Sequence, residues 1–261
     1  MSILTYYFAR FALLSLVLGA DRQQPILNDE CSHPAYTVHI VATSPLVIYI
    51  SDFLTNAERE HLLEVTKGTF SNSAVADSSG AQGLQQTRTS KSTSVAPDSV
   101  VDCIVSRALS FQSPSLHPSH VEPLQLVAYS QNQSYHFHTD WFTNPSLASP
   151  SHGGNRISSF FVYVDVAPGT TGGGTNFPVL NAPHGEEWCK TVDCDAQWED
   201  GLTFRPVSGN AIFWMNMVDE GGEMVGDERT LHAGLPVTSG SKVGMNIWTR
   251  EGSLGSEYRG V

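Results

Sequence analysis

The run Tyr135-His-Phe-His-Thr-Asp140 decides how this chain is read. Successive side chains of a β-strand alternate between faces, so as a strand it would turn His136, His138 and Asp140 to one side. A histidine and a carboxylate two positions apart are two members of a 2-His-1-carboxylate facial triad, which fills one face of an octahedral iron and leaves the other sites open. The third ligand must come from a distant stretch. His232, in Thr230-Leu-His-Ala-Gly234, is the distal candidate.

Outward from that run, short β-rich segments broken by Gly, Pro and Asn are expected at Leu124–Tyr129, Ser134–Asp140, Ile157–Val166, Ala211–Met215 and Val243–Thr249. Two helices are expected before them. Thr55-Asn-Ala-Glu58 is a capping box with Gly68 as a C-terminal stop. From about Asp98 to Leu109, Val100, Val101, Ile104, Val105, Ala108 and Leu109 form one apolar stripe for packing on a sheet. Helices followed by many short strands predict an α+β fold with a sandwich or jelly-roll core. The Ser/Gly/Gln/Thr-rich stretch Ser71–Ser94 reads as a surface connection, and Thr143–Asn155 and Val218–Thr230 read as long loops suited to carry function.

Composition excludes several classes of function. The chain has 261 residues, 40% hydrophobic and only 15% charged, which is not the profile of a disordered chain. Lys+Arg 14 against Asp+Glu 26 leaves a formal net charge of −12, which repels phosphate backbones, so no nucleic-acid partner is expected. Four cysteines without a C-x-x-C pair exclude a zinc knuckle or a thioredoxin-type motif. Phe11–Ala20 is a ten-residue apolar run ending in small residues, which reads as a signal peptide; counted back through Arg10 to Ile3 it is eighteen residues, enough for a marginal anchor. An N-terminal core helix is the plainer alternative. The chain is accordingly placed in the secretory pathway, in the endoplasmic reticulum lumen, secreted or membrane-anchored. In such a compartment Cys189 and Cys194 would close a small loop and leave Cys31 and Cys103 as the other candidate pair. One N-glycosylation motif is present, Asn132-Gln-Ser134, because Pro145 disqualifies Asn144.

Lys242 opens the strand Lys-Val-Gly-Met-Asn-Ile-Trp-Thr-Arg250, with Val243, Met245 and Ile247 on one face and Lys242, Gly244, Asn246 and Trp248 on the other. A cation at that place suits an anion in a pocket, the plain alternative being a surface lysine. With these residues in place the chain resembles the Fe(II)/2-oxoglutarate-dependent dioxygenases of the prolyl 4-hydroxylase type, specifically their short fungal members, from about Val47 to Arg250. The stretches that carry the resemblance are Ser51-Asp-Phe-Leu54, Tyr129 to Phe142, Arg156–Val166 with Gly173-Gly-Thr-Asn-Phe-Pro178, Gly209–Trp214, and Leu231–Val237 followed by Lys242 and Trp248.

The resemblance implies a double-stranded β-helix (jelly-roll) core with N-terminal helices packed on one sheet. Residues 1–20 would be the signal peptide or anchor, 21–45 an N-terminal extension, and 46–261 the dioxygenase domain. It implies that His138, Asp140 and His232 bind Fe(II), that Lys242 pairs with the C5 carboxylate of 2-oxoglutarate and Tyr129 hydrogen-bonds it, and that Thr175 and Trp248 border the cosubstrate pocket. Arg156 is a candidate second anion anchor, or else an exposed arginine at a strand start. The implied reaction is hydroxylation of an unactivated C–H bond with dioxygen, releasing succinate and CO2, with ascorbate as a candidate further cofactor. Peptidyl proline is one candidate substrate and a small molecule in a tailoring reaction another. The rival readings are a cupin, with His136 and His138 as its ligand pair and Asp140 outside the metal's contacts, and a non-enzymatic secreted jelly roll. Trp141-Phe-Thr-Asn144 stands where the family commonly has a tyrosine-rich stretch, which alters the wall where substrate would sit.

Overall fold

The strand Arg156–Val166 shows why the chain folds as two layers over a sheet. Phe160, Val162 and Val164 point one way and Phe161 and Tyr163 the other, and all five are buried. A strand apolar on both faces must be covered on both. The structure is a computed structural model, and it describes residues 31–73, 75–76, 82–83, 88–196 and 200–259. The predicted signal peptide or anchor at 1–20, and the first ten residues of the predicted extension, lie outside the described residues.

In chain order the elements are β1 (Thr37–Thr43), β2 (Leu46–Ser51), α1 (Asn56–Val65), β3 (Ser71–Asn72), β4 (Lys91–Ser94), α2 (Ser99–Gln112), β5 (Gln125–Ser130), β6 (Tyr135–His138), β7 (Arg156–Val166), β8 (Thr175–Phe177), β9 (Leu202–Phe204), β10 (Ala211–Met215), β11 (Met217–Glu220), β12 (Glu223–Gly226), β13 (His232–Gly234), β14 (Ser241–Arg250) and α3 (Ser256–Arg259). An eight-stranded antiparallel sheet runs β1-β2-β10-β7-β14-β5-β4-β3, and a four-stranded antiparallel sheet runs β9-β8-β13-β6. This is the jelly roll, and its core divides by strand parity. One face of the large sheet sends Ile48, Ile50, Phe160, Val162, Phe213, Met245 and Ile247 against the helices, which return Leu62, Val101, Ile104 and Ala108. The other face sends Val47, Tyr49, Phe161, Tyr163 and Trp214 against Phe177, Leu202 and Phe204 of the small sheet.

The helices form where their caps dictate. Thr55 accepts from the Glu58 amide and the Glu58 carboxylate accepts from the Thr55 amide, closing the capping box, and Asp98 caps α2 through Val100 and Val101. The α1 cap falls at Thr66, before the expected Gly68 stop. Glu58 also takes both terminal nitrogens of the buried Arg107, at 2.5 and 3.1 Å, which joins the two helices through one ion pair.

Three expectations change. Ser71–Ser94 is not wholly a connection: β3 and β4 extend the large sheet beyond β5, and Ser73, Arg88 and Ser90 are buried. An edge strand made of Lys-Ser-Thr-Ser has no apolar alternation to betray it. Val218–Thr230 is mostly the hairpin β11/β12. Thr37–Thr43, assigned to the extension, pairs with β2, and the compact unit runs Ser32–Val261. No helix among the described residues is long and apolar enough to cross a membrane.

Cys189 and Cys194 form a disulfide, with Cα atoms 5.3 Å apart. The loop it closes pairs Val192 with Phe204 at the outer edge of β9. Replacing both cysteines by serine is expected to lower stability by about 2 kcal/mol, the loop-closure term for so short a loop. A urea midpoint that stays put would show that Val192 holds this edge without the bond.

Candidate active site

His138 is the last residue of β6 and His232 the first of β13, and the two are directly paired across the antiparallel ladder. Residues so paired have neighbouring Cβ atoms, so both imidazoles meet: their ring centroids are 4.2 Å apart. Asp140 follows two residues after β6, in a bend. Neighbours i and i+2 on a straight strand stand about 6.6 Å apart, and the bend closes that gap. His138 Nε2 is 3.8 Å from Asp140 Oδ1, and His232 Nε2 is 3.9 Å from Asp140 Oδ2. One potential ligand atom from each lies within 4.8 Å of the other two.

His136, expected on the same face, is exposed and outside this cluster. The cause is a register shift: His138 pairs with His232 but Tyr135 pairs with Gly234, so one extra residue is accommodated on β6. Tyr135 and His138 therefore share a face, stacked at 3.6 Å, while His136 and Phe137 turn out. The H-x-H pair of a cupin-type site does not form.

Both cluster histidines are held in one tautomer. His138 Nδ1 donates to the His136 carbonyl and His232 Nδ1 to the Thr230 carbonyl, each at 2.8 Å, which leaves the Nε2 lone pairs facing Asp140. Burial, and then the His232 ring beside it, push the His138 imidazole down to about 3, so it stays neutral and able to ligate. Burial alone would raise Asp140, but His232, His138, Arg156 and a hydrogen bond from Ser159 outweigh it and hold the carboxyl below its ordinary range. Ser159 Oγ donates to Asp140 Oδ2 at 2.7 Å and accepts from Asn216 Nδ2 at 2.9 Å. Neither Ser159 nor Asn216 was singled out from sequence; a serine in an apolar strand carries no signal of its own.

A cavity of about 630 Å³ opens on the cluster, and Tyr129, Thr175 and Trp248 line it with His138, Asp140 and His232. Thr175 is hydrogen-bonded to the Tyr163 hydroxyl at 2.7 Å. Lys242 sits opposite Tyr129 in the β14/β5 ladder, 1% exposed, so it is not a surface lysine. Its ammonium lies 4.7 Å from the Tyr129 ring and 5.4 Å from the Phe161 ring, both on the cavity wall, and donates to the Gly173 carbonyl. Gly173 has φ +70, a backbone conformation that favours glycine, and a Cβ there would crowd Val237 while only touching the Lys242 chain. No carboxylate pairs with Lys242 among the described residues. Burial lowers the ammonium to about 7.

Arg156 lines the cavity and is not an exposed arginine. It is mostly buried, stacked on Trp248 at 3.6 Å and paired with Glu122 at 2.7 and 2.8 Å. Glu122 also accepts from Arg250 at 2.6 Å, and Arg250 donates to the Leu147 and Gly154 carbonyls, which ties the loop 143–155 to the end of β14. Burial would raise Glu122, but the two guanidiniums hold it low. Arg88, from the stretch read as a connection, lines the cavity 4.6 Å from the Tyr135 ring. Trp141 forms another wall, with Nε1 donating to the Asp227 carbonyl at 3.3 Å, and its indole packs so closely on Gly226 that a Cβ there would overlap it.

A sheet-borne pair of histidines with a carboxylate can hold a divalent metal ion, and a buried ammonium that meets no carboxylate among the described residues can receive one. The sequence profile of the 2OG-Fe(II) oxygenase superfamily matches residues 124–250, a span that holds His138, Asp140, His232 and Lys242. The chain is a 2-oxoglutarate-dependent Fe(II) dioxygenase, with Fe(II) as cofactor and 2-oxoglutarate and dioxygen as cosubstrates. Its relatives narrow the class. It is 26% identical over 245 residues to a probable prolyl 4-hydroxylase 4 of Arabidopsis thaliana, covering 91% of this chain and 78% of the relative, and 28% identical over 226 residues to prolyl 4-hydroxylase 5 of the same plant, covering 85% and 74%. It is also 30% identical over 227 residues to the human prolyl 4-hydroxylase subunit alpha-3, covering 84% of this chain and 36% of that one. The fold matches a viral collagen prolyl hydroxylase from Paramecium bursaria Chlorella virus-1 with a TM-score of 0.53 and 24% identity, over 85% of this chain and 98% of that one. Residues 124–250 thus carry the 2OG-Fe(II) oxygenase match, and the relatives to which the chain is similar are prolyl 4-hydroxylases.

Proposed function

We propose that the protein hydroxylates proline in a peptide, with His138, Asp140 and His232 holding Fe(II), Lys242 and Tyr129 receiving the C5 carboxylate of 2-oxoglutarate, and Thr175 and Trp248 bordering it. The observation that carries the site assignment is the convergence of two Nε2 lone pairs and one carboxylate within 4.8 Å, both Nδ1 atoms being already committed to carbonyls. The relatives' names carry the substrate.

Iron and 2-oxoglutarate, when bound, supply the oxidising chemistry: dioxygen is divided between succinate and the hydroxylated product, with loss of CO2. The chain's own residues do the rest. Ser159, held by Asn216, orients the Asp140 carboxylate, and Phe177 and Trp214 pack on the His232 ring at 5.5 and 4.8 Å and keep it from turning. Lys242 selects a second carboxylate on the keto acid by a charge-assisted bond. The aromatic wall of Tyr135, Trp141, Phe142 and Trp248 excludes water from the reacting carbon and offers flat apolar surface to a pyrrolidine ring.

Ser159→Ala is expected to weaken Mn(II) binding by about 10–100-fold, as removal of a group that orients a metal ligand does. An unchanged titration would mean that the hydroxyl leaves the carboxylate free. The substrate is tested by incubating the iron-loaded enzyme with proline-rich peptides and, separately, with small-molecule candidates, and measuring succinate alongside oxygen incorporated into the acceptor. Hydroxyproline in the peptide is the expected product. Coupled turnover with a small molecule and none with any peptide would overturn the peptide reading.

A further inference from the structure

The oxygenase site leaves one motif of the sequence unused. Asn132-Gln-Ser134 is the only Asn-x-Ser/Thr motif in the chain without an intervening proline. It forms the turn between β5 and β6, the corner at which the chain leaves the eight-stranded sheet for the four-stranded one.

The main chain of this turn is tied down on every side. The Asn132 amide donates to the Val237 carbonyl at 2.8 Å, the Val237 amide to the Gln133 carbonyl at 3.1 Å, and the Ser134 amide to Thr89 Oγ1 at 3.0 Å. The motif's two functional side chains are not used in this way. Asn132 is exposed, and neither its carboxamide nor the Ser134 hydroxyl makes a hydrogen bond among the described residues. Asn132 has φ +65, and that alone explains a preference for asparagine or glycine at 132. It does not call for a hydroxyl two residues later. Tyr129 and Tyr135 on either side reach the cavity, whereas residues 131–134 do not line it. A bulky group on Asn132 would therefore break no hydrogen bond among the described residues and obstruct none of the residues that line the cavity.

A second observation concerns the compartment. Cys189 and Cys194 are joined, and no cysteine among the described residues is free. Proteins that keep their thiols closed in this way are those of oxidising compartments, where N-glycosylation also takes place.

We propose that Asn132 is an N-glycan acceptor and that the chain matures in the oxidising lumen of the secretory pathway. The full chain is expressed in a eukaryotic host twice, once with its own N-terminus and once behind a heterologous secretion leader. Each product is mapped by intact mass and peptide analysis before and after peptide N-glycosidase. The expected result in both is one glycan, at Asn132. It should be lost in Asn132→Gly, which suits the positive φ, and in Ser134→Ala, which leaves the main chain alone, with succinate formation unchanged in either variant. An unmodified Asn132 in a disulfide-closed chain delivered by the leader would overturn the acceptor. A glycan with the leader but none with the native N-terminus would overturn the compartment.

Discussion

His232→Ala should abolish Mn(II) or Fe(II) binding and turnover together. The ring is 5% exposed and lies between Phe177 and Trp214, so its removal leaves a void and costs some stability as well. Asp140→Asn is the companion that keeps the shape: Asn retains an oxygen for Ser159 but loses the charge that two neutral imidazoles need as counterpart to a divalent ion. Calorimetric titration should show the binding heat disappear in both variants while circular dichroism stays native. His136→Ala should bind metal and turn over normally, because the bulge on β6 turns that ring outward. Wild-type-like binding in Asp140→Asn, or loss of it in His136→Ala, would defeat the assignment.

The second large effect is expected at Lys242. Lys242→Met keeps an unbranched side chain one atom shorter and removes the charge, and it should raise the 2-oxoglutarate requirement by roughly 10–100-fold, the equivalent of one charge-assisted bond. Metal binding should be unchanged. The pH dependence has a definite sign. With the ammonium lowered from 10.5 to about 7 in the empty site, the charged form that binds a carboxylate is half present near pH 7 and predominates only below it. The apparent affinity for 2-oxoglutarate should fall by up to tenfold per pH unit above that, and the Met variant should show a weak, flat profile. Linkage gives a second readout. A lysine whose folded value lies below its unfolded one burdens the fold most below about pH 7, and the burden fades as pH rises toward 10.5. Lys242→Met should accordingly raise the melting temperature of the ligand-free protein at neutral pH. A variant that melts lower, with an unchanged cosubstrate requirement, would assign the lysine to the scaffold.

These two sites differ in how far they could be read from residues alone. Spacing was enough to nominate His138, Asp140 and His232, because two ligands lie two positions apart, and the parity of β14 put Lys242 on the face opposite Met245 and Ile247, where the structure has it. Parity failed at His136, since a bulge is a property of the paired strand and not of the sequence that bears it. The capping box of α1 and the α2 stripe were legible for a local reason: every partner lies within one or two helical turns. The Glu122, Arg156 and Arg250 network was not, because it joins residues 34 and 128 positions apart, and nothing local marks a charge that will be buried. The same holds for Ser159 with Asn216. Arg88 was hidden differently, in a polar edge strand whose composition is that of a loop.

The order of strands in the large sheet bears on how the protein is made. β14, residues 241–250, is the last long strand to be synthesised, yet it lies between β7 and β5. A nascent chain leaving the ribosome therefore carries two exposed, apolar strand edges until β14 emerges to fill the gap and bring Lys242 and Trp248 with it. Such a chain cannot mature progressively from its N-terminus, so chaperone occupancy should persist throughout translation and be released at its end. A stop codon ahead of residue 241 should yield aggregate rather than a less active enzyme.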